Sequence, residues 1–116
     1  MIEKVLITGA TGLIGTELVK QCHRDGIAVN YLTTSKDKIE NLPNYKGFYW
    51  NPENGEIDIE AFDDAEAIIN LVGANIARRW TKKNKKIILE SRTKSLDLLY
   101  NSLQKIDHNV GHFISA

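Results

Sequence analysis

Short apolar runs alternate with stretches of helical spacing along the first third of the chain. Residues 5–8 form a β-branched apolar run that stops at Gly9, which is typical of a buried parallel strand. Apolar residues then recur at helical spacing over residues 13–23, and Gly26 follows as a helix stop. Residues 28–33 are rich in β-forming side chains and predict a second strand.

The middle of the chain carries more turn residues and shorter apolar runs. Residues 34–46 are polar and include Pro43, which predicts a loop or a short helix. Residues 47–50 predict a third short strand, and dense turn signals follow it at residues 51–55. Residues 67–72 are a further candidate for a buried strand.

A long helix and a final strand complete the pattern. Thr81 can cap a helix that runs to about Lys105, and residues 112–115 begin a strand. The apolar stripe of this helix consists of Leu89, Leu96, Leu99, Leu103 and Ile106. Strands separated by helical segments imply βαβ units and a parallel sheet, so the predicted fold class is α/β.

The composition is that of one ordinary globular domain, with 116 residues of which 42% are hydrophobic and 26% charged. Its apolar stretches are broken within a few residues, so we expect no membrane span. Glu3 and Lys4 interrupt the start of the chain, so we expect no signal peptide. The lone Cys22 permits neither an internal disulfide nor a cysteine-based zinc site, which favours a reducing, cytoplasmic location. The 15 basic and 15 acidic residues balance, which argues against nucleic acid as a partner.

The balanced charge conceals two segregated stretches. Residues 51–66 carry seven acids and no base, whereas residues 78–86 carry six bases and no acid. One interpretation is that both are solvated faces. The alternative is that the basic run faces an anionic ligand or partner, because cations at the start of a helix are unfavourable against its dipole.

Three glycines with G-x-x-G-x-x-G spacing lie between the first predicted strand and the first predicted helix. In a dinucleotide-binding loop, Gly9 would permit the tight exit from the strand, and Gly12 would remove a Cβ where the backbone approaches a pyrophosphate. Gly15 would let the helix pack closely on the strand, and the helix N-terminus would offer N–H groups to the phosphates. We therefore expect cofactor binding by Gly9, Thr11, Gly12, Leu13, Ile14 and Gly15.

This motif narrows the α/β prediction to a Rossmann-type, doubly wound parallel sheet with flanking helices. A phosphate-binding loop of the ATPase kind would need Gly-Lys-Ser/Thr, whereas this chain has Gly15 followed by Thr16. The remaining alternative is that the three glycines serve only the turn.

The end of the second predicted strand bears on the choice of nicotinamide cofactor. NAD-specific sites place an acid there to hold the ribose hydroxyls. This strand instead ends in three hydroxyl side chains, Thr33, Thr34 and Ser35, which with Lys36 or Lys38 could receive a 2′-phosphate. We therefore favour NADP, while Asp37 leaves NAD open.

Several segments resemble the extended or atypical short-chain dehydrogenases/reductases, namely residues 8–15, 69–73 and 113–116. More narrowly, residues 50–52 with Gly55, residues 70–76 and residues 79–81, together with Ser91-Arg92, resemble the bacterial epimerase-like family described as nucleoside-diphosphate-sugar epimerases. The resemblance covers essentially the whole chain, and residues 70–80 are its most specific part.

The resemblance implies roles for residues beyond the glycine loop. Leu71, Val72 and Gly73 would line the adenosine and ribose side of the cofactor, and Asn75 would lie toward the nicotinamide or the substrate. Arg92 falls near the apolar stripe of the long helix. It either extends from the edge of that stripe to solvent or, as the resemblance implies, reaches an internal carboxylate or a ligand phosphate.

The catalytic residues of this superfamily do not occur in the chain. Its members are considerably longer, with a catalytic Ser/Thr just beyond the fifth strand and a Tyr-x-x-x-Lys pair later. Here Tyr31, Tyr45, Tyr49 and Tyr100 are followed four residues on by Ser35, Tyr49, Glu53 and Gln104. We therefore expect residues 1–116 to be the NAD(P)-binding, N-terminal part of a larger protein, cut before its catalytic residues and inactive alone.

Two classes of function follow from this sequence. The first is an NADP-dependent epimerase, dehydratase or reductase that acts on a small molecule such as a nucleotide sugar. The second is a module that binds the cofactor without turnover, as a sensor, assembly factor or structural element. The three histidines show no metal-ligand spacing, so no metal site is expected, and the sequence leaves the oligomeric state undetermined.

Overall fold

The computed structural model describes residues 2–10, 13–71 and 82–115, and within these ranges it describes all side chains except those of residues 13, 14, 82–93 and 115. The strands are β1 (Lys4–Thr8), β2 (Ala28–Thr33), β3 (Asn41–Leu42), β4 (Tyr45–Asn51), β5 (Glu56–Ile57), β6 (Ala67–Asn70) and β7 (His112–Ser115). The helices are α1 (Leu13–Arg24) and α2 (Lys82–Lys105). Two short 3₁₀ helices at Lys36–Lys38 and Ile59–Phe62 are called the Lys36–Lys38 turn and the Ile59–Phe62 turn below.

The strands form one sheet in the order β3-β4-β2-β1-β6-β7, and β5 pairs with β4. Five of them, β4, β2, β1, β6 and β7, are mutually parallel. Counted along the chain, these five have the order 3-2-1-4-5, which is the order of a Rossmann sheet. The strand order therefore reverses between β1 and β6, and ligands of open α/β sheets bind at that switch point.

Side chains alternate between the two faces of the sheet and build a core on each. The face covered by α1 buries Val5, Ile7, Val19, Cys22, Val29, Tyr31 and Ala67. The opposite face, covered by α2 and the Ile59–Phe62 turn, buries Leu6, Leu32, Trp50, Phe62, Ile68 and Leu99. Both faces of the central strands β1 and β2 are thus covered, and the predicted doubly wound α/β fold is confirmed.

Both helices end within one residue of their predicted ends. Beyond α1, Gly26 has φ +73°, its N–H donates to the His23 carbonyl at 3.2 Å, and the Ile27 N–H donates to the Cys22 carbonyl at 2.8 Å. This pair of bonds is a Schellman motif, which satisfies the last carbonyls of the helix. Of the predicted stripe, Leu99 and Leu103 of α2 and Ile106, one residue after its end, pack in the core on the α2 face, and Leu96 is partly buried. Leu98 packs there as well, and the side chain of Leu89 lies outside the described part of the chain.

The sequence interpretation missed two short strands. Residues 34–46 contain β3 as well as the Lys36–Lys38 turn, and a turn through Pro43 and Asn44 leads from β3 into β4. Asn44 adopts φ +65°, a conformation that asparagine tolerates at such a turn. The predicted turn at residues 51–55 likewise joins β4 to β5 in an antiparallel hairpin.

The length and hydropathy of a helix determine whether it can cross a membrane. Among the residues that the structure describes, no helix combines the length and the apolar character needed to cross a bilayer.

Candidate functional site

The carboxyl ends of β1 and β6 meet at the switch point through two buried polar side chains. Thr8 and Asn70 are paired in the sheet register, and each is at most 1% exposed. The Thr8 hydroxyl donates to Oδ1 of Asn70. It also accepts a 3.1 Å hydrogen bond from the Leu71 N–H, so the strand end and the residue after it are tied together. The two strands are therefore held in register where the cofactor site is expected.

Gly9 follows β1 directly and has φ +76°, a left-handed conformation that side chains with a Cβ rarely adopt. A Cβ at this position would lie 3.2 Å from Cβ of Leu71 and 3.3 Å from its carbonyl oxygen. The chain thus leaves the strand sharply and passes close to the segment after β6, as the tight strand exit required.

Gly15 lies in the first turn of α1 and is buried. A Cβ at Gly15 would lie 2.1 Å from the Gly9 carbonyl oxygen and 2.6 Å from Cα of Ala10. These neighbours are backbone atoms and cannot rotate away. The absence of a side chain therefore lets α1 begin directly against the loop that leaves β1. The sequence predicted close packing of Gly15 on the strand itself, whereas its nearest neighbours are Gly9 and Ala10, in the loop that follows β1.

Only part of the predicted cofactor and substrate set can be located. Leu13 and Ile14 are the first residues of α1, and Arg92 lies within α2, but their side chains fall outside the described part of the chain. Leu71 is buried beside Gly9. The predicted residues Thr11, Gly12, Val72, Gly73 and Asn75 lie outside the described residues.

The three hydroxyl residues at the end of β2 lie at the same edge of the sheet as Gly9. Thr33 is buried, and its Oγ1 accepts a 3.1 Å hydrogen bond from the Ser35 N–H. Thr34 is exposed and Ser35 is partly exposed. Residues 33–35 form what we call the hydroxyl tip of β2, at which Thr34 and Ser35 are accessible, whereas the Thr33 hydroxyl holds the Ser35 backbone. The sheet brings this tip to the edge at which Gly9 leaves β1.

A lysine and a tyrosine adjoin these hydroxyls. Tyr49 of β4 is paired with Thr33 in the parallel register, and Nζ of Lys36 lies 4.9 Å from the centroid of the Tyr49 ring. This distance is that of a cation–π contact. The Lys36 ammonium thus lies beside the end of β2.

Two further tyrosines lie beneath the segment that follows β2. The buried Tyr31 hydroxyl donates to the Lys38 carbonyl at 2.6 Å and accepts from the Glu40 N–H at 2.8 Å. The rings of Tyr31 and Tyr45 stack with their centroids 4.5 Å apart. Burial raises the pKa of Tyr31, and burial together with the nearby Tyr31 and Glu40 raises the pKa of Tyr45 to about 12. Both phenols therefore stay neutral near pH 7.

The segregated charges have structural roles where they are described. In the acidic stretch, Asp58 caps the Ile59–Phe62 turn by accepting from the Glu60 N–H, and Glu53 forms an ion pair with Lys94 at 2.6 Å. The side chains of the basic run at residues 78–86 lie outside the described part, so both interpretations of that run stay open.

The remaining candidate groups are the Cys22 thiol and the side chains that could bind a metal ion. Burial and the nearby Asp25 raise the pKa of the Cys22 thiol, which makes it a poor nucleophile. In the described portion of the chain, no group of three or more His, Cys, Asp or Glu side chains could hold a metal ion.

Two cavities of about 590 and 540 Å³ lie away from the switch point. The first is lined by Glu3, Lys4, Ala28, Asp64, Glu66 and Asn109, at the amino-terminal ends of β1 and β2. The second lies between Lys4, Asn30 and Phe48 and the acidic segment from Asp58 to Asp64. The first cavity is at the opposite edge of the sheet from Gly9, and the second is on the face covered by α2, so neither is lined by Gly9, Gly15 or Leu71.

Sequence reasoning missed the Thr8–Asn70 and Lys36–Tyr49 pairs. A signal for the first existed, because polar residues at the ends of two buried strands meet whenever those strands are neighbours. The second had none, because the contact depends on the register of β2 against β4.

Comparison with known proteins places the chain in one family. The model of the NAD-dependent epimerase/dehydratase family matches residues 5–116. An epimerase family protein of Staphylococcus saprophyticus is 35% identical over 103 residues, which cover 89% of this chain and 33% of that protein. One of Mycobacterium bovis is 34% identical over 114 residues, covering 97% of this chain and 35% of that protein. The chain thus spans about a third of the length of these curated relatives.

Solved structures share the fold at lower identity. A human epimerase family protein with NADPH has a TM-score of 0.63 and 24% identity, covering 97% of this chain and 35% of that one. A mutant uronate dehydrogenase from Agrobacterium tumefaciens complexed with NAD has a TM-score of 0.66 and 18% identity, covering 100% and 41%. The nucleoside-diphosphate sugar epimerase from Corynebacterium glutamicum has a TM-score of 0.68 and 23% identity, covering 99% and 22%.

The sheet order, the glycine-lined strand exit and the family match over residues 5–116 agree with one another. The chain belongs to the NAD-dependent epimerase/dehydratase family.

Proposed function

We propose that the chain is the NAD(P)-binding part of an epimerase, dehydratase or reductase, and that the loop from Gly9 to Gly15 holds the cofactor pyrophosphate. The observation that carries this proposal is the backbone contact at Gly15, where a Cβ would lie 2.1 Å from the Gly9 carbonyl oxygen. It brings the N-terminus of α1 to the carboxyl end of β1, beside the switch point. Free N–H groups and the positive end of the helix dipole suit a pyrophosphate there.

The adenosine end of the cofactor would lie over the end of β2. Thr34 and Ser35 offer accessible hydroxyls, the buried Thr33 holds the Ser35 backbone beside them, and Lys36 offers the charge that suits a 2′-phosphate. Leu71, Val72 and Gly73 would line the adenosine and ribose. NADP is therefore the proposed cofactor, and the human relative solved with NADPH supports it, whereas the uronate dehydrogenase was solved with NAD.

A nucleotide sugar is the proposed substrate of the complete protein. The support is the fold shared with a nucleoside-diphosphate sugar epimerase and the family's epimerase and dehydratase members. Asn75 and Arg92 are the residues of this chain proposed to face the substrate. When bound, the nicotinamide supplies hydride chemistry at a substrate carbon. This chain binds and orients the cofactor, and the proton-handling Ser, Tyr and Lys are proposed to lie beyond residue 116. The lone Cys22 supports a cytoplasmic location.

Calorimetry on a glycine variant tests the pyrophosphate assignment. We expect Gly12→Val to abolish NADP binding, because its branched side chain would block the approach of the phosphates to the loop backbone. The matched control is Gly111→Val, since a Cβ at Gly111 meets nothing within 4 Å. Thermal unfolding of both variants verifies that they fold. Undiminished NADP binding by folded Gly12→Val would contradict the assignment.

A further inference from the structure

We propose that Tyr49 is a positioning residue for cofactor choice, because its ring holds the Lys36 ammonium where the 2′-phosphate of NADP would lie. This inference rests on the proposed function, since it assumes that the adenosine end of the cofactor lies over the end of β2. It goes further by assigning selectivity to a residue on a different strand from the hydroxyl tip.

The sheet register places Tyr49 at the right point. Tyr49 pairs with Thr33, the last residue of β2, and is partly buried. Along β4, Tyr45 packs in the core on the α1 face, and a Cβ at Gly47 would contact Tyr31 on that same face. Because side chains alternate along a strand, Tyr49 faces the α1 side as well. The Tyr49 ring therefore lies on the same face of the sheet as α1.

The backbone that carries Lys36 is held on both sides. On one side, Oγ1 of Thr33 accepts from the Ser35 N–H at 3.1 Å. On the other, the Tyr31 hydroxyl bonds the Lys38 carbonyl at 2.6 Å and the Glu40 N–H at 2.8 Å. With the backbone fixed, the position of the Lys36 ammonium depends on its own side-chain torsions. The 4.9 Å contact with the Tyr49 ring restricts those torsions.

A ring partner orients the ammonium without neutralising it. The ion pairs seen among the described residues join Lys20 to Glu17 and Lys94 to Glu53, and Lys36 takes part in neither. The exposed Lys36 thus retains its charge for an anion, whereas a carboxylate partner would compete with a phosphate. Asp37, next along the chain, carries the opposite charge, so selectivity depends on which of the two groups meets the ribose.

Calorimetric titration of the 116-residue chain with NADP and with NAD tests the proposal. We expect Tyr49→Leu to weaken NADP binding about twofold to fivefold with NAD binding unchanged, which is the fold-change of one cation–π contact. Tyr49→Phe keeps the ring face and should keep the wild-type ratio of the two affinities. Lys36→Met should lower the NADP-to-NAD affinity ratio more than Tyr49→Leu does. Adding Tyr49→Leu to Lys36→Met should not lower that ratio further. Lys46→Met, at an exposed position of β4 away from the end of β2, is the matched control for the loss of one lysine charge and should leave both affinities unchanged.

A second measurement needs no nucleotide. In a proton–carbon NMR spectrum, the ring should shift the Lys36 ε-methylene protons upfield in the wild type and in Tyr49→Phe, and the shift should disappear in Tyr49→Leu.

Three results would overturn the proposal. The first is a wild-type chain that binds both nucleotides but keeps its NADP-to-NAD affinity ratio in Tyr49→Leu. The second is an equal loss for both nucleotides, which would make Tyr49 a general structural residue. The third is a wild-type chain that binds neither nucleotide, which would reject the proposed function and this inference together.

Discussion

At Gly15 a single added methyl group would meet backbone atoms instead of a movable side chain. The Gly9 carbonyl oxygen would lie 2.1 Å from the new Cβ, well inside van der Waals contact. At Gly9 the constraint is different, because φ +76° is unfavourable for any residue with a Cβ. The two glycines are therefore required for separate reasons, one for close approach and the other for backbone conformation.

Replacing Gly15 with alanine tests that close approach. In an open helix, Gly→Ala would stabilise the protein by about 0.5–1 kcal/mol. Here we expect the opposite sign, a loss of about 1–3 kcal/mol in the free energy of unfolding, because α1 must move away from the loop. Urea denaturation measures this value, and Gly111→Ala, at a position with open space, is the control. A Gly15→Ala protein as stable as the wild type would show that the helix start is not packed against Gly9.

The raised pKa of Tyr45 predicts how the free energy of unfolding depends on pH. The pKa of Tyr45 is about 12 in the folded chain, whereas the pKa of a tyrosine in an unfolded chain is about 10. The unfolded state therefore loses its proton first, so the contribution of Tyr45 is complete below about pH 10 and is lost as the pH rises toward 12. We expect Tyr45→Phe to make the decline in unfolding free energy between these pH values shallower. Urea titrations at several pH values would measure the decline, and equal slopes for variant and wild type would contradict the raised pKa.

At the scale of elements, local pattern determined some features and long-range pairing determined others. Strand β2 has its predicted bounds, and α1 extends one residue beyond its predicted end, because each contains its own periodicity and stop signals. The two-residue strands β3 and β5 are too short to show a period. The site divides in the same way. The glycine loop was visible in the sequence, whereas the Lys36–Tyr49 contact requires the register between β2 and β4.

The Ile59–Phe62 turn depends on a buried polar contact with the sheet. Asn30 of β2 is buried, and its side-chain N–H groups donate to the Ala61 carbonyl at 3.0 Å and to the Asp63 carbonyl at 3.4 Å. The Ile59–Phe62 turn contributes Ala61 and Phe62 to the core on the α2 face. An amide side chain on a central strand thus attaches an element that has little periodicity of its own.

Replacing Asn30 with alanine should detach this turn. We expect a loss of about 1–3 kcal/mol in unfolding free energy, because the Ala61 carbonyl would stay buried without its donor. Hydrogen exchange should accelerate at the Ala61 and Asp63 amides. Asn41→Ala, at an exposed position on β3, is the control and should change neither quantity. Unchanged exchange in Asn30→Ala would mean that other contacts hold the turn.

At the scale of the whole molecule, the sheet order decides where a ligand can bind. The 3-2-1-4-5 order of the parallel strands creates one reversal, between β1 and β6, and the glycine loop, Leu71 and the hydroxyl tip of β2 all lie at the carboxyl edge beside it. The cavity of about 590 Å³ at the amino-terminal edge is a competing location of a different, acidic character. The sheet topology favours the carboxyl edge.

An NMR titration of the nitrogen-15-labelled chain with NADP tests this location most directly. We expect the amide resonances of Gly9, Gly15 and Leu71 to shift with a common saturation curve, while those of Glu66 and Asn109 at the opposite edge stay unchanged. Shifts confined to Glu66, Asn109 and their neighbours, or no shifts at all in the folded chain, would contradict the claim that this chain binds a dinucleotide at its glycine loop.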